Sequence, residues 1–506
     1  MGVIIRQSIK GTIVNYLGAF IGFLTTFFII TKYLTESEIG LLNVLISAGT
    51  VFSGLALMGT SSSIIRFYPD FKNSKNKDNG YFFWAILIPF IGYVVFSILN
   101  YFFKDWICNY FSDRSQLFVD YFYLVFPLTF FVLYITVFES YSNVLMRIVV
   151  PKLVREVILR IVLLISYLLY AFNFVSFNNF VNLFCLSYAI AALINLGYLI
   201  KLKQISIKPN LKPITSAFKK EYFKYTIYSL IISFGTTLSP MLSTFFVAGT
   251  LGLNYNGIYA IATYMATIVE IPYRSLGTIA QPELAKLLKK GETDNINVLC
   301  KQVSLHQFIV GAFILFVLWI NIDIVFEIIP NGDKYSSGKI VVLLLGIGKL
   351  LNSVVAFGAT VLNYSKFFFY SILFTIINTF ASLLLNMYLT PILGIDGAAL
   401  ATLLTSIIYY VPLLWFVMYK TKINLLSISH LKVLGLMLLL LTLNYGIDFI
   451  TSFISNNSFF ISLIIAILKT GLLCLIGVIA IYKLKISKNI NQIIDTLLNK
   501  IINKKI

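Results

Sequence analysis

Residues 201–221 read KLKQISIKPNLKPITSAFKKE, the longest polar interruption in a chain of 506 residues. Pro209 and Pro213 oppose a continuous helix here, and lysines spaced through the segment favour water, as in a linker between two bundles. Before it lie apolar runs long enough to cross a bilayer, at approximately 11–33, 39–65, 81–103, 117–138, 152–172 and 179–200. After it come runs at about 222–248, 255–280, 303–329, 339–363, 367–390, 396–419, 431–452 and 459–482. The pattern predicts an all-α polytopic membrane protein with about fourteen transmembrane helices.

Composition excludes the alternatives. The chain is 59% hydrophobic and 12% charged, where a soluble domain carries about 25% charged residues. Too little charge remains to cover a water-soluble body, and uninterrupted apolar runs exclude both disorder and an alternating outer-membrane barrel. The net charge of +19 belongs to loops facing anionic lipid, with no water-soluble basic domain to bind nucleic acid.

Arg and Lys test the helix count independently. One set of segments holds Arg6 and Lys10; Arg66, Lys72, Lys75 and Lys77; Arg147, Lys152 and Arg155; the linker lysines; Lys286, Lys289, Lys290 and Lys301; Lys420, Lys422 and Lys432; and the lysines of the tail. The alternate loops hold only Lys32, Lys104, Arg114, Lys334 and Lys339. Strict alternation places both termini and the linker in the cytoplasm.

Across the linker the sequence repeats weakly. Leu34-Thr-Glu-Ser-Glu-Ile-Gly40 leaves the first helix as Leu251-Gly-Leu-Asn-Tyr-Asn-Gly257 leaves the seventh, and Thr12-Ile13 rhymes with Thr226-Ile227. The repeat predicts an N-terminal six-helix lobe over 1–200 and a parallel six-helix lobe over 222–420. A C-terminal helix pair occupies 421–485, and 486–506 form a cytoplasmic tail. Thr25 and Ser239, equivalent in the two repeats, are expected to face one another across the seam.

No catalytic constellation is present. His306 and His430 lack partner motifs, and no G-x-S-x-G, H-E-x-x-H or P-loop pattern occurs. The four cysteines, Cys108, Cys185, Cys300 and Cys474, are far apart, so neither a metal site nor a disulfide framework is indicated. Transport without a cofactor is favoured over catalysis.

Charges inside the hydrocarbon are the sharpest pointers to function, each costing roughly 2.5–3.5 kcal/mol on insertion scales. Lys349 falls mid-run in the tenth helix and Lys469 in the fourteenth. Arg160 has Glu156 one turn before it, and Arg274 has Glu270, as i,i+4 pairs that could neutralise one another. Arg66, Arg147 and Arg155 stand at cytoplasmic helix ends, where a basic mouth could collect an anionic head group. Asp323, Glu327 and Asp448 read as exposed helix ends. The first and seventh helices lack the carboxylate that an exporter of cationic drugs needs; Asn15 and Tyr16 instead offer neutral groups suited to a sugar. Pro89, Pro127, Pro240 and Pro272 fall within predicted spans and would permit bending.

The stretches Arg6-Gln-Ser-Ile-Lys-Gly11 through Tyr33–Gly40, Ser63-Ile-Ile-Arg66-Phe-Tyr-Pro69, Pro272-Tyr-Arg274-Ser-Leu276 with Pro282, and Pro391-Ile-Leu-Gly394-Ile-Asp396-Gly-Ala-Ala399 resemble bacterial polysaccharide flippases of the O-antigen type. That family belongs to a superfamily that includes the multidrug-and-toxin extrusion carriers and the lipid II flippase. The resemblance covers about residues 4 to 420. It implies two lobes around a cationic cavity for an undecaprenyl-diphosphate-linked oligosaccharide, an O-antigen or exopolysaccharide repeat unit, flipped across the bacterial inner membrane. A polysaccharide polymerase and glycosyltransferases would be partners. The alternative is an ion-coupled multidrug or small-molecule exporter of the same superfamily. Cavity candidates are Lys349, Arg274, Arg160, Arg66, Asn15 and Tyr16, with Arg147 and Arg155 at the cytoplasmic mouth.

Overall fold

The computed structural model describes residues 2–71, 78–206, 208–210, 215–365, 367–452, 459–492 and 495–496. Among these the only regular structure is helical, as lipid demands: an open backbone group in hydrocarbon has no water to satisfy it. Eleven of the described helices are long and apolar enough to cross a membrane. One of them, Phe369–Thr421, runs 53 residues and is broken by Gly394 (φ 63°, ψ −139°). That left-handed residue falls between two runs that the sequence separates, and glycine is the residue that reaches it without strain. Two other apolar stretches are interrupted: 149–171 carries a π turn at Val154–Ile158, and 253–290 carries a 3-10 turn at Ile268–Glu270.

Side-chain caps fix several helix starts. Thr35 and Glu38 form a reciprocal capping box at the head of Glu36–Ala56, Ser176 caps Phe177–Lys201, and Thr215 caps Ser216–Thr250. Pro89 and Pro240 lie within helices. Pro127 and Pro272 instead sit in the first turns of Val125–Val144 and Ile271–Lys290, where the missing N–H is one that would have no helical partner.

The chain divides into two compact units. The first is Met1–Ala262 with Phe369–Thr405, and the second is Thr263–Phe368 with Ser406–Ile506. In the first unit an aromatic-rich core joins Phe67, Tyr68 and Phe71 to Tyr81, Phe82, Phe138 and Tyr141. Fully buried Asp78 is satisfied there by the Tyr141 hydroxyl and the backbone N–H groups of Gly80 and Phe82. In the second unit Leu305, Ile309 and Phe316 of the helix Thr293–Ile320 pack against Val433, Leu436 and Leu440 and against Leu473 and Ile481. The helices Ile428–Ser452 and Phe459–Lys483 are thereby anchored to that unit.

Candidate functional site

In the first unit, charge collects where the helix Gly2–Leu24 meets the stretch 149–171. Two glycines permit the approach. A Cβ on Gly18 would lie 2.3 Å from the Glu156 carbonyl oxygen, and one on Gly22 would lie 2.1 Å from Nη1 of Arg160. The Arg160 guanidinium donates to the Gly18 carbonyl at 2.6 Å and to Glu156 at 2.9 Å. One turn earlier, inside the π turn, Arg155 pairs with Glu139 at 3.0 Å and reaches the Thr136 hydroxyl at 3.5 Å. A π turn widens the helix by one residue and re-aims the side chains that follow, a device common at functional positions.

The second unit contains a different arrangement. Glu270, in the 3-10 turn, is buried, and its carboxylate accepts from Lys349 Nζ at 3.3 Å and from the Asn352 amide. The Asn352 carbonyl oxygen accepts from the Tyr410 hydroxyl at 2.7 Å. Lys349 and Asn352 lie three residues apart on the helix Lys339–Tyr364, so one face delivers both donors. Lys349 and Asn352 thus both hold Glu270; the expected pairing of Glu270 with Arg274 lies outside the described residues, the Arg274 side chain not being among them.

Exposure gives these pairs a direction. The Arg155 side chain is 43% exposed against 17% for Glu139, Arg160 33% against 21% for Glu156, and Lys349 33% against 7% for Glu270. In all three the carboxylate is the inner partner and the cation the open one. An open charge within a span must face water or a polar ligand, because lipid would exact several kcal/mol. Lys469 reverses the order: it is 9% exposed and pairs at 2.7 Å with Asp448, which is 45% exposed and also held by Asn444. Asp448, read from sequence as a simple exposed helix end, is thus the counter-ion of Lys469.

The other sequence candidates are distributed as follows. Arg66, expected at a helix end, lies mid-helix in Thr60–Phe71, pairs with Glu221 at 2.8 Å and lies 4.5 Å over the ring of Tyr225. Arg147 is exposed in the turn after Val125–Val144. Asn15 is half-buried, and Tyr16 is exposed. Thr25, expected opposite Ser239, donates to the Ile21 carbonyl of its own helix, whereas Ser239 accepts from Asn378 at 2.9 Å and passes its carbonyl to Ser382. The repeat equivalence of the two positions does not bring them into hydrogen-bond contact. Glu139, Asn352 and Tyr410 were missed in the sequence. The signal for Glu139 was available, since a carboxylate within an apolar run needs a partner.

Neither a family model nor a curated protein sequence matches the chain. Solved structures do. The lipid II flippase MurJ, in its inward closed conformation, is similar at 17% identity over 93% of this chain and 98% of that one, with a TM-score of 0.68. The Vibrio cholerae MATE transporter VcmN, solved as a single-residue mutant, is similar at 13% identity, 83% and 98% coverage and a TM-score of 0.58. A MOP superfamily transporter from Pyrococcus furiosus, described as having a binding pocket of reverse polarity, is similar at 12% identity, 83% and 96% coverage and a TM-score of 0.52. The chain therefore has the all-helical membrane fold shared by the lipid II flippase and the multidrug transporters of the MOP superfamily.

Proposed function

We propose that the chain is a flippase that moves an undecaprenyl-diphosphate-linked oligosaccharide, an O-antigen or exopolysaccharide repeat unit, across the bacterial cytoplasmic membrane by alternating access. The observation that carries this reading is the polarity of the three ion pairs. Each leaves a cation one third or more exposed and keeps its carboxylate behind it. A guanidinium held from behind retains free N–H groups, which suit the oxygens of a diphosphate. A carrier of cationic drugs would present the carboxylates instead.

On this reading the broken helix Phe369–Thr421 crosses twice, and the interrupted stretches 149–171 and 253–290 cross once each. About fourteen crossings result, with both termini and the linker in the cytoplasm. Two six-helix lobes, 1–200 and 222–420, rock against one another, and Arg147, Arg155 and Arg66 collect the head group at the inner mouth. A polymerase and glycosyltransferases act on the same glycan. The alternative, an ion-coupled exporter, draws on the MATE neighbours and on the buried Glu270 carboxylate.

Deletion of the protein separates the two. The flippase reading expects loss of surface glycan and accumulation of lipid-linked repeat units on the cytoplasmic side. Normal glycan with raised drug sensitivity would instead establish the exporter. Lys208→Cys, in the linker, should resist a membrane-impermeant thiol reagent added to intact cells; ready labelling would overturn the topology.

A further inference from the structure

Within the first unit the two segments that repeat across the linker cross one another. Residues 34–40 correspond to 251–257 in sequence, so Ser37 is the counterpart of Asn254, and these two side chains hydrogen-bond to each other. Gly40 abuts the Leu253 carbonyl, and an added Cβ would lie 2.0 Å from its oxygen. Gly257 abuts the Glu36 carbonyl, with the corresponding distance 2.1 Å. Gly40 matches Gly257 and Glu36 matches Leu253, so the second contact is the first with the halves exchanged. Reciprocal contacts around a self-paired position are what a local two-fold axis produces.

Hydrogen bonds surround the crossing. The Asn256 amide donates to the Gly40 carbonyl at 2.9 Å, Asn43 donates to Asn256 at 3.4 Å, and Ser115 donates to the Ala248 carbonyl at 2.6 Å. Farther along the same seam Gly59, just before the helix Thr60–Phe71, abuts the Thr226 carbonyl, an added Cβ lying 2.6 Å from its oxygen, and side chains make the remaining contacts with Ser216–Thr250. Ser63 meets Thr226 at 3.1 Å, Arg66 pairs with Glu221, and Phe67 packs on Phe218, Tyr222 and Tyr225. The Gly40–Gly257 crossing differs in being reciprocal, with a glycine of each half against the backbone of the other, so it opens when the helices themselves separate.

We propose that the Gly40–Gly257 crossing, with Ser37–Asn254 on its axis, is the outer gate of the carrier, closed in this structure and parted when the substrate head group leaves. The proposal rests on the carrier reading and on the topology that places residues 34–40 and 251–257 outside. Motion of one repeat half against the other must disrupt contacts on their shared axis first. Because the contact is backbone on backbone, closure excludes water there without a bulky plug.

The test uses the full chain in cells, with Ser37→Cys and Asn254→Cys combined and a protease site in the linker to report the cross-link. Oxidation should join the two fragments, and surface glycan should be lost while the bridge stands and return on reduction. A third cysteine replacing Asn43, beneath the crossing, should react with an impermeant maleimide from outside in reduced cells and be protected in oxidised ones. A bridge that forms while glycan export and labelling continue unchanged would overturn the gate, as would failure of the pair to bridge. Protection on oxidation in a strain whose glycan never depended on the protein would uphold the gate and reject the glycan substrate. In a second variant, Gly40→Ala should raise Asn43→Cys labelling by propping the crossing apart; unchanged labelling in protein of normal abundance would count against it.

Discussion

Lys349 and Lys469 look alike in sequence, each a lone lysine in the middle of an apolar helix, yet the second unit uses them in opposite ways. Lys349 is the open partner of a carboxylate that is 7% exposed, whereas Lys469 is the hidden partner of one that is 45% exposed. A buried ion is held at a desolvation cost that only its counter-ion offsets, so the hidden member depends on the open one. The open member retains access to water and can exchange its partner for a ligand. On the flippase reading Lys349 is the one to meet a substrate, while Lys469 joins the helices Ile428–Ser452 and Phe459–Lys483.

The largest effect should come from neutralising each pair as a whole. Glu270→Gln with Lys349→Met removes both charges together, so on the flippase reading the fold should persist while glycan export is lost. Asp448→Asn with Lys469→Met should leave export near its original level. Surface glycan measured at matched protein abundance checks both, and equal loss in the two double variants would erase the distinction between the lysines.

Single substitutions should then show an asymmetry in stability. Lys349→Met takes an ion-pair partner from the buried Glu270 carboxylate and Asp448→Asn takes one from the buried Lys469, each costing up to about 3–5 kcal/mol. The reverse changes, Glu270→Gln and Lys469→Met, leave the more open ion to be hydrated and should cost roughly 1 kcal/mol. Thermal unfolding of purified protein in detergent measures all four. Equal costs within a pair would mean that exposure does not decide which partner is dependent.

Arg155→Ala and Arg160→Ala should weaken export in part, since each removes one open cation from the first unit. Glu139→Gln should spare more export than Arg155→Ala because the guanidinium remains. An equal or greater loss with Glu139→Gln would shift the role to the carboxylate. The smallest effect belongs to Tyr410→Phe. It deletes one hydrogen bond to Asn352, worth about 1 kcal/mol, and should lower the melting temperature slightly with export intact.

Helical class, most spans and the break near Gly394 were legible because lipid makes them local matters: any long apolar run must close its own hydrogen bonds. The spacing that Leu34–Gly40 and Leu251–Gly257 share was legible too, but the face on which those two segments touch was not. The sequence reading drew attention to Thr25 and Ser239, while the reciprocal contact at Gly40 and Gly257 is one of backbones, which no side-chain pattern announces.

Partners were the least legible feature. The i,i+4 rule found Glu156 for Arg160, because both lie on one helix. It offered Glu270 to Arg274, a pairing outside the described residues, and gave no sign that folding also brings Lys349 to that carboxylate from 79 residues away. The sequence by itself determined how many charges lie within apolar runs, since that is a matter of composition along the chain. Only the tertiary structure decided which of each pair is hidden, because desolvation depends on every helix packed around the group and not on its neighbours in sequence.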